Sequence, residues 1–383
     1  MVSKSYEGKP NELIEAFGMG VESIKNAIKR ILNRKKLKSN FIFNFLYFYI
    51  FKTVFDIITI GSATRDAFLK SDDFVIVKGK EFITGRAECL PLGAKIEVKN
   101  IVFTTGGGAT NSAVSFARQG LKTSCVTRVG RDVSGEEVIK GLKREVIATF
   151  LVINDSELAT GYSIILIAKK GDRSVLVFRG ASQKFNEKEI KWTELKNTNW
   201  LYITSLAGNI KFLKKIVDFA DKNNIKIAIN PGSCELKFGF KLLKPILNKV
   251  NLLLLNREEA SYLTKLPYEE EKEIFRNLCG IAKDLVIMTE GPKGVLVCDG
   301  RNIWRAGTYK EKLIADRTGA GDSFGSGFVS GFMKTGDMEY AIKLGSANAT
   351  SVVEHIGAKE GILRKGWEKD KRWRKLDIKR IRL

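Results

Sequence analysis

Residues 250–260 read VNLLLLNREEA, a continuous apolar run that ends at Asn256 and passes directly into a helix-like segment. Three further runs of the same kind occur along the chain, at residues 200–208, 225–232 and 284–291. Helical segments separate or follow them, at residues 209–223, 238–249 and 257–283. Strands that are apolar at every position are buried on both faces, so this alternation predicts an α/β fold with helices on both sides of a mostly parallel sheet.

The same alternation extends over most of the chain and defines one large domain. It begins with the strand-like run FDIITIG at residues 55–61 and ends with helix-like segments that reach residue 357. Two regions, at about 67–105 and 160–180, interrupt it with β-rich and turn-rich sequence. We therefore predict a three-layer α/β/α sandwich with a small β-sheet lid, in a domain that spans residues 53–363.

The two flanking segments differ from this domain in composition. Residues 1–52 contain a basic run followed by an apolar, aromatic run at 41–51, and residues 364–383 are rich in lysine and arginine. The apolar run is shorter than the roughly 20 residues of a membrane-spanning helix, and no small-residue cleavage site follows it. We predict an N-terminal extension, either disordered or added by a mis-assigned start, and a basic C-terminal tail. A membrane anchor at 41–51 is the weaker alternative.

Charge and reactive side chains narrow the function. The chain carries 65 Lys and Arg against 43 Asp and Glu, a net charge of +22, which favours phosphate-bearing partners from nucleotides to nucleic acid. We expect a solvated basic surface rather than a nucleic-acid-binding one, although the basic ends leave nucleic acid open. Five scattered cysteines without a C-x-x-C pair, and a single histidine, argue against a zinc site, a disulfide framework and histidine-based catalysis. The simplest interpretation is a reduced, cytoplasmic protein.

The glycine cluster IADRTGAGDSF, residues 314–324, is the strongest candidate for chemistry. Its spacing and its late position do not match the dinucleotide fingerprint, which follows the first strand of a βαβ unit. At a helix start, the amides of Gly319, Ala320 and Gly321 favour negative charge, and the carboxylate of Asp322 beside them can take a proton from a hydroxyl. Together they predict a base and an anion hole for phosphoryl transfer. A plain capped helix is the alternative.

Two loops near the start of the domain are candidates for substrate binding, because open α/β sheets bind ligands beyond the carboxyl ends of their strands. One follows the first predicted strand, and the other precedes a predicted helix. Asp66, in GSATRD, can accept hydrogen bonds from substrate hydroxyls, or it can cap a turn. Gly106 and Gly107 precede a helix that carries Asn111. These glycines either expose backbone amides to a ligand or only loosen the entry of the helix.

Two later loops have the same ambiguity. Asn256 and Glu259 match a helix-capping pattern, but the same spacing can place a carboxylate near a phosphate-bound metal. Thr289, Gly291 and Gly294 follow another apolar strand and form either a hairpin turn or a nucleotide contact.

With these loops in this order, the sequence resembles the ribokinase-like carbohydrate kinases, the PfkB family, from about residue 55 to residue 363. The two family signatures appear as GGGATNSAVSFARQGLKTSCVTRVGRD, starting at Gly106, and DRTGAGDSFGSGF, starting at Asp316. The resemblance implies a ribokinase-like fold and an enzyme, a phosphotransferase with an alcohol group as acceptor. It also implies ATP, Mg²⁺ and K⁺ as cofactors.

The resemblance assigns roles to individual residues of this chain. The base and its anion hole are Asp322 with Gly319, Ala320 and Gly321. The contacts to the sugar are Thr64, Asp66, Gly106, Gly107 and Asn111. The contacts to ATP are Asn256, Thr289, Gly291, Gly294 and Asn348. Glu259 organises Mg²⁺ indirectly, and Asp316 and Thr318 hold the monovalent cation together with backbone carbonyls of residues 354–357.

The acceptor and the assembly stay open at this point. Thr64 stands where ribokinase itself favours Asn, so ribose is one candidate beside fructose-like and keto-deoxy sugars. An adenosine or other nucleoside kinase is the nearest alternative, and a non-catalytic nucleic-acid-binding protein on the same fold is the alternative of another class. The resemblance also implies a homodimer formed through the lid.

Overall fold

The computed structural model describes residues 54–80, 82, 85–168 and 173–382. The chain divides into two compact units, Met1–Val54 and Phe55–Leu383, and the second contains everything described below. The apolar run at 41–51 lies outside the described residues. Among those that are described, no helix is both long enough and apolar enough to cross a membrane.

The strands, in chain order, are β1 (Phe55–Ile60), β2 (Thr64–Lys70), β3 (Val75–Lys78), β4 (Arg86–Cys89), β5 (Asn100–Gly106), β6 (Thr123–Val126), β7 (Arg128–Gly130), β8 (Ile153–Asp155), β9 (Gly161–Ile167), β10 (Arg173–Phe178), β11 (Thr198–Ile203), β12 (Lys226–Ile229), β13 (Leu252–Asn256), β14 (Leu285–Thr289), β15 (Val295–Cys298), β16 (Asn302–Ala306) and β17 (Ile378–Arg382). The α-helices are α1 (Gly108–Arg118), α2 (Val133–Arg144), α3 (Trp192–Leu195), α4 (Ile210–Lys222), α5 (Ser233–Leu236), α6 (Gly239–Leu247), α7 (Arg257–Thr264), α8 (Glu271–Leu278), α9 (Ala320–Thr335) and α10 (Met338–Val353).

The central sheet has nine strands in the order β17-β16-β15-β14-β13-β12-β11-β1-β6. Neighbouring strands from β6 to β14 run parallel, and the pairs from β14 to β17 run antiparallel. The parallel part is the sheet that the apolar runs predict. The carboxyl ends of its strands meet at one edge, where the loops with candidate chemistry lie.

The leucine run of β13 explains why this sheet is covered on both faces. Leu253 and Leu255 pack in one hydrophobic cluster with residues of α4, α6, α7 and α8. Leu252 and Leu254 pack in another cluster with residues of α9 and α10. Because successive side chains of a strand point to opposite faces, an all-apolar strand needs a helix layer on each side. The prediction of a three-layer α/β/α sandwich is confirmed.

A second sheet of four strands, which we call the lid sheet, has the order β10-β9-β2-β5. Its strands come mainly from the two β-rich regions that interrupt the alternation in the sequence. Since β2 begins at Thr64, just after β1 ends at Ile60, the lid sheet starts at the carboxyl edge of the central sheet. β3 and β4 pair separately as an antiparallel hairpin.

One predicted helix is divided in the structure, and another is preceded by an additional short helix. The segment 257–283 forms α7 and α8, because α7 ends at Lys265, which adopts a left-handed conformation with φ 59°, and Pro267 follows. Proline cannot donate the backbone hydrogen bond that would continue the helix. The segment 238–249 is preceded by the short helix α5, and α6 itself covers residues 239–247.

The C-terminal segment differs from the expectation of a separate basic tail. Trp367 and Trp373 are buried in a cluster with Tyr309 and Leu344. The Tyr309 hydroxyl donates a hydrogen bond to the backbone carbonyl of Trp373 at 2.7 Å. β17 then adds to the edge of the central sheet beside β16. The segment therefore folds with the domain, because its two tryptophans offset its charge with apolar burial.

One pair of cysteines is joined, although the sequence gives no reason to expect a disulfide. Cys279, just after α8, and Cys298, at the end of β15, form a disulfide with a Cα–Cα distance of 5.8 Å. The pair lies 19 residues apart, and the return of the chain through β14 and β15 brings the two together. Cys89, Cys125 and Cys234 are free.

Candidate active site

The turn before α9 is shaped by glycine. Gly319 is the N-cap of α9 and has φ 79°, a left-handed conformation that side chains other than glycine rarely adopt. A Cβ on Gly319 would lie 2.4 Å from the Cβ of Ala358, which is a clash. A Cβ on Gly321 would meet no heavy atom within 4 Å, so the space above the first turn of α9 is open. Since the first N–H groups of a helix have no partner inside it, this turn presents donors to an open space.

Asp322 lies in the first turn of α9, beside these donors. Its Oδ2 accepts a hydrogen bond from Nδ2 of Asn111 at 2.9 Å, so the candidate base and a candidate sugar contact are in direct contact. Burial raises the pKa of the Asp322 carboxyl, and the Asn111 hydrogen bond and the positive charge of Lys359 act against that rise. Oδ1 of Asn111 is buried without a protein partner and is free to accept a hydrogen bond from a ligand.

Lys359 belongs to this site, although no sequence pattern predicts it. Its Nζ donates to the carbonyl and the hydroxyl of Thr105, both at 2.9 Å, and to the hydroxyl of Thr110 at 2.8 Å. Burial lowers the pKa of Lys359 to about 8, while the charges of Asp66 and Asp322 act against that fall. Nothing in the local pattern distinguishes Lys359, because it stands among many charged residues near the C-terminus.

The lid sheet carries the predicted sugar contacts. Asp66 lies in β2 and is buried, and its Oδ1 accepts a hydrogen bond from the Thr64 hydroxyl at 2.8 Å. Burial raises the pKa of the Asp66 carboxyl against the hydrogen bonds from Thr64 and Ser163. A Cβ on Gly106 would lie 2.0 Å from Oδ2 of Asp66, so a larger residue at position 106 would displace that carboxylate.

The next residue of the chain is equally restricted. Gly107 has φ 96°, and a Cβ there would lie 2.5 Å from the carbonyl oxygen of Ser62. It is the N-cap of α1, the helix that carries Asn111. The glycines thus bring the end of β5 against the β1–β2 loop and direct α1 toward Asp322.

Asn256 and Glu259 form the capping box that their spacing predicts. The Asn256 Oδ1 accepts from the Glu259 N–H at 2.8 Å, and Oε2 of Glu259 accepts from the Asn256 N–H at 2.9 Å. The box does not exclude a second role, because both residues also line a cleft of about 230 Å³ together with Asp322 and Gly321. We call this space the Asp322 cleft. Burial, together with the negative charge of Asp322, raises the pKa of Glu259 to about 7.

These carboxylates fit a divalent cation, although they do not enclose one. Two acidic side chains in one cleft, both with a raised pKa, are stabilised in their charged form when a cation enters. Mg²⁺ is bound through one or two carboxylates, phosphate oxygens and its own waters, so it needs no full protein cage. The described part of the chain holds no group of three or more His, Cys, Asp or Glu arranged for a metal ion.

A second cleft of about 220 Å³ adjoins the first. We call it the Gly294 cleft. Its lining includes the predicted residues Thr289, Gly291 and Gly294, and Thr289 and Gly321 line both clefts. Gly294 has φ 101°, and a Cβ there would lie 1.9 Å from the carbonyl oxygen of Ala306. The two clefts therefore meet at the first turn of α9.

Asn348 is placed differently from the other predicted nucleotide contacts. Its side chain is fully buried, and its Nδ2 donates to the Ser323 carbonyl at 2.8 Å and to the Ser115 hydroxyl at 3.1 Å. Its Oδ1 accepts from the Leu363 N–H at 2.8 Å. Asn348 thus joins α1, α9 and the C-terminal segment, while the Gly294 cleft is lined by its neighbours Ser346, Ala349 and Thr350.

Asp316 and Thr318 lie together just before the glycine turn. Oδ1 of Asp316 accepts from the N–H of Thr318 at 3.0 Å and from its hydroxyl at 2.8 Å. Oδ2 of Asp316 accepts from the Gly357 N–H at 3.4 Å. Oδ1 also forms an ion pair with Arg173, a residue that the sequence analysis does not identify.

The arrangement suits the transfer of an anionic group between two ligands. One ligand space contains a carboxylate beside helix N–H groups, and the other is lined by glycine and small residues. A family model of the pfkB family carbohydrate kinases matches residues 56–365. The chain belongs to this family. The predictions of the family, of the fold and of a phosphotransferase that acts on a hydroxyl group are confirmed.

Members of the pfkB family that are similar to this chain are named for different substrates. A ribokinase of Haemophilus influenzae is 26% identical over 278 residues, which cover 70% of this chain and 88% of that protein. A cytidine kinase of Thermococcus kodakarensis is 28% identical over 257 residues, which cover 66% of this chain and 88% of that protein. The structure of Arabidopsis thaliana ribokinase complexed with ribose and ATP matches with a TM-score of 0.67 at 18% identity, covering 82% of this chain and 97% of that one.

Proposed function

We propose that this protein transfers the γ-phosphoryl group of ATP to a hydroxyl of a small sugar, which is ribose-like, fructose-like or a keto-deoxy sugar. The observation that carries the proposal is the position of Asp322. It lies where the two clefts meet, beside the open first turn of α9 and in contact with Asn111. A base there lies beside Asn111, a predicted sugar contact, and at the border of the cleft from which a phosphoryl group would enter.

The acceptor side is built by residues that hold hydroxyls. Asp66 and the free Oδ1 of Asn111 accept hydrogen bonds from the sugar, and Gly106 and Gly107 let β5 and α1 pack closely enough on Asp66 and the β1–β2 loop to place these acceptors. Asp322 takes the proton of the attacking hydroxyl, and Asn111 holds the carboxylate in place until it does. A burial-raised pKa makes Asp322 a stronger base than an exposed aspartate.

The donor side is built by backbone and small residues. Thr289, Gly291 and Gly294 line the nucleotide space, and Asn256 borders the neighbouring cleft. The N–H groups at Gly319, Ala320 and Gly321 stabilise the charge on the transferring phosphoryl group. Glu259 would help to hold Mg²⁺, which neutralises charge on the phosphates of bound ATP.

The proposal is tested with Asp322→Asn. The amide keeps the size of the side chain but cannot take a proton, so kcat should fall by at least about a hundredfold with Mg-ATP and any accepted sugar. Ribose, fructose, 2-keto-3-deoxygluconate and a set of nucleosides form the substrate panel. Asp377→Asn, an exposed aspartate just before β17, is the matched control, and thermal unfolding verifies that both variants fold.

Two results would contradict this assignment in different ways. Full activity in Asp322→Asn would show that Asp322 is not the base, although the protein would still be a kinase. Turnover of nucleosides but of no free sugar would favour the alternative function, a nucleoside kinase, for which the similarity to the Thermococcus kodakarensis cytidine kinase is the supporting observation.

We also propose that two copies of the chain associate through their lid sheets. β10 is an edge strand, and Leu176 and Phe178 on it are more than half exposed. Ile101 and Phe103 of β5 are also about half exposed, so the lid sheet carries apolar surface that a monomer leaves in water. We place the reaction in the cytoplasm, where ATP is available, and cell fractionation tests that placement.

A further inference from the structure

Asp316 is a buried acid that needs a positive partner. Its side chain is only 1% exposed, and it lies in the turn that leads into Gly319. The hydrogen bonds from Thr318 and Gly357 come from neutral groups and leave its negative charge in place. A buried carboxylate without a counter-ion is costly, and a net negative charge here would also repel a phosphoryl group at the anion hole.

The partner that the structure provides comes from the lid sheet. Nη1 of Arg173 lies 2.5 Å from Oδ1 of Asp316, and the arginine side chain is 32% exposed. Arg173 is the first residue of β10, so its backbone belongs to the edge strand of the lid. The ion pair therefore joins two parts of the molecule that are 143 residues apart in the sequence.

The strand register explains how this contact forms. Val177 of β10 is opposite Ser163 of β9, which is opposite Asp66 of β2. Side chains of opposed residues share a face, and residues four apart in a strand share one too. Arg173 therefore lies on the same face of the lid sheet as Asp66, which is the face that carries the predicted sugar contact. From there its guanidinium reaches across to Asp316.

The resemblance to the family implies a monovalent cation at Asp316, and the residues present do not fit one. Both carboxylate oxygens of Asp316 already have partners, Oδ1 with Thr318 and the Arg173 guanidinium and Oδ2 with the Gly357 N–H. A K⁺ ion beside that guanidinium would meet a like charge at close range. The arginine supplies the positive charge that the ion would bring.

We propose that the Arg173 guanidinium takes the place of a monovalent cation at Asp316, and that this ion pair fastens the lid sheet to the anion-hole turn. This inference rests on the proposed function for its consequence for turnover, but not for its geometry. Arg173 acts as a positioning residue, because it reaches the reaction through Asp316 and Thr318. The kinase then needs no K⁺, and opening of the lid exposes an uncompensated charge next to the anion hole.

The first test compares K⁺ with tetramethylammonium at an ionic strength held at about 0.15 M. Wild-type kcat should be the same in both salts. Arg173→Gln should lose about tenfold or more of kcat in tetramethylammonium, and K⁺ should restore most of that loss, because the ion can now bind at Asp316. Arg173→Lys keeps the charge and should stay independent of K⁺. Lys70→Gln removes an exposed charge at the same end of the lid sheet and should behave as wild type.

The second test does not depend on turnover. In Arg173→Gln, hydrogen–deuterium exchange should increase in β10 and in residues 314–319, and K⁺ should raise the thermal unfolding midpoint. Neither change should occur in Lys70→Gln. Activation of the wild type by K⁺, or an Arg173→Gln variant that matches Lys70→Gln in salt response and exchange, would overturn the proposal. If the wild type phosphorylates nothing in the substrate panel, the proposed function is wrong. Hydrogen–deuterium exchange and thermal unfolding would still show whether the Arg173–Asp316 ion pair fastens the lid sheet.

Discussion

At the scale of single residues, the charge balance of the site depends on Lys359. Asp66 and Asp322 are both acids whose pKa burial raises, and the charge of Lys359 lowers the pKa of each. Its three hydrogen bonds to Thr105 and Thr110 fix the ammonium group, so it does not need to touch a substrate to act. Its influence on Asp322, the proposed base, is electrostatic, and it should appear in the pH dependence of the reaction.

Replacing Lys359 by methionine should move the acid limb of the pH profile of kcat/KM to higher pH. As the proposed base, Asp322 would work only when ionised, so activity should be lost as the pH falls through its pKa. Removing a positive charge raises that pKa, and the loss then begins at a higher pH, by about one unit for a charge at this range. The measurement is kcat/KM against pH, which reports the free enzyme.

The control for this variant is Lys365→Met, which removes an exposed lysine close by in the chain. Its profile should overlay that of the wild type. If Lys359→Met and Lys365→Met give the same acid limb, Lys359 does not influence the base.

At the scale of elements, the sequence predicts what depends on local pattern. The four leucines of β13 predict a doubly covered strand, and Asn256 with Glu259 predicts a capping box, because both patterns arise within a few neighbouring residues. The position of Gly319, Ala320 and Gly321 at a helix start is predicted for the same reason. The early end of α7 at the left-handed Lys265 also has a local signal, because Pro267 follows it, and the prediction of one helix over residues 257–283 overlooks that signal.

Contacts between distant elements could not be predicted in this way. Lys359 and Arg173 reach the site from a loop after α10 and from the lid, and neither has neighbours in sequence that suggest it. Asn348 is the converse case, since the family resemblance implies a nucleotide contact and the structure shows its amide saturated by Ser323, Ser115 and Leu363.

Substituting Leu176 by lysine should prevent association of the lid sheets. Leu176 lies on β10, is 56% exposed, and points to the opposite face from Arg173, since the two are an odd number of residues apart. A lysine there places a charge in the proposed interface, where it would have to be desolvated. Light scattering after size-exclusion chromatography should give twice the chain mass for the wild type and one chain mass for Leu176→Lys.

The matched control is Leu242→Lys, which introduces the same change at a leucine of α6 that is 59% exposed. This variant should keep the mass of the wild type. A wild type that elutes with the mass of one chain would contradict the proposed dimer directly.

At the scale of the whole molecule, the C-terminal segment closes the domain. Trp373 is 5% exposed and contacts Tyr309 edge to face, with ring centroids 5.1 Å apart. Basic residues surround it in the sequence, so composition alone describes a tail. The segment folds onto the domain because burial of the two large aromatic side chains stabilises the folded state more than the exposed basic residues destabilise it.

Trp373→Ala should therefore lower the free energy of unfolding by about 3–5 kcal/mol, the usual loss for a buried tryptophan. Urea unfolding followed by circular dichroism measures it. Arg374→Ala, at the exposed neighbouring residue, should change the free energy by no more than about 0.5 kcal/mol. Equal stability of the two variants would mean that the segment contributes nothing to the domain.

The hydrogen bond between Asn111 and Asp322 spans 211 residues of chain. During synthesis at 5–20 residues per second, the first partner waits on the order of ten to forty seconds for the second. The turn at Gly319 then waits for Ala358, on which it packs, and Asn348 waits for Leu363. The parallel strands of the central sheet are therefore synthesised before the proposed base, whereas β17 is synthesised after it. A chain released before residue 322 would lack the proposed base and could not transfer a phosphoryl group by this mechanism.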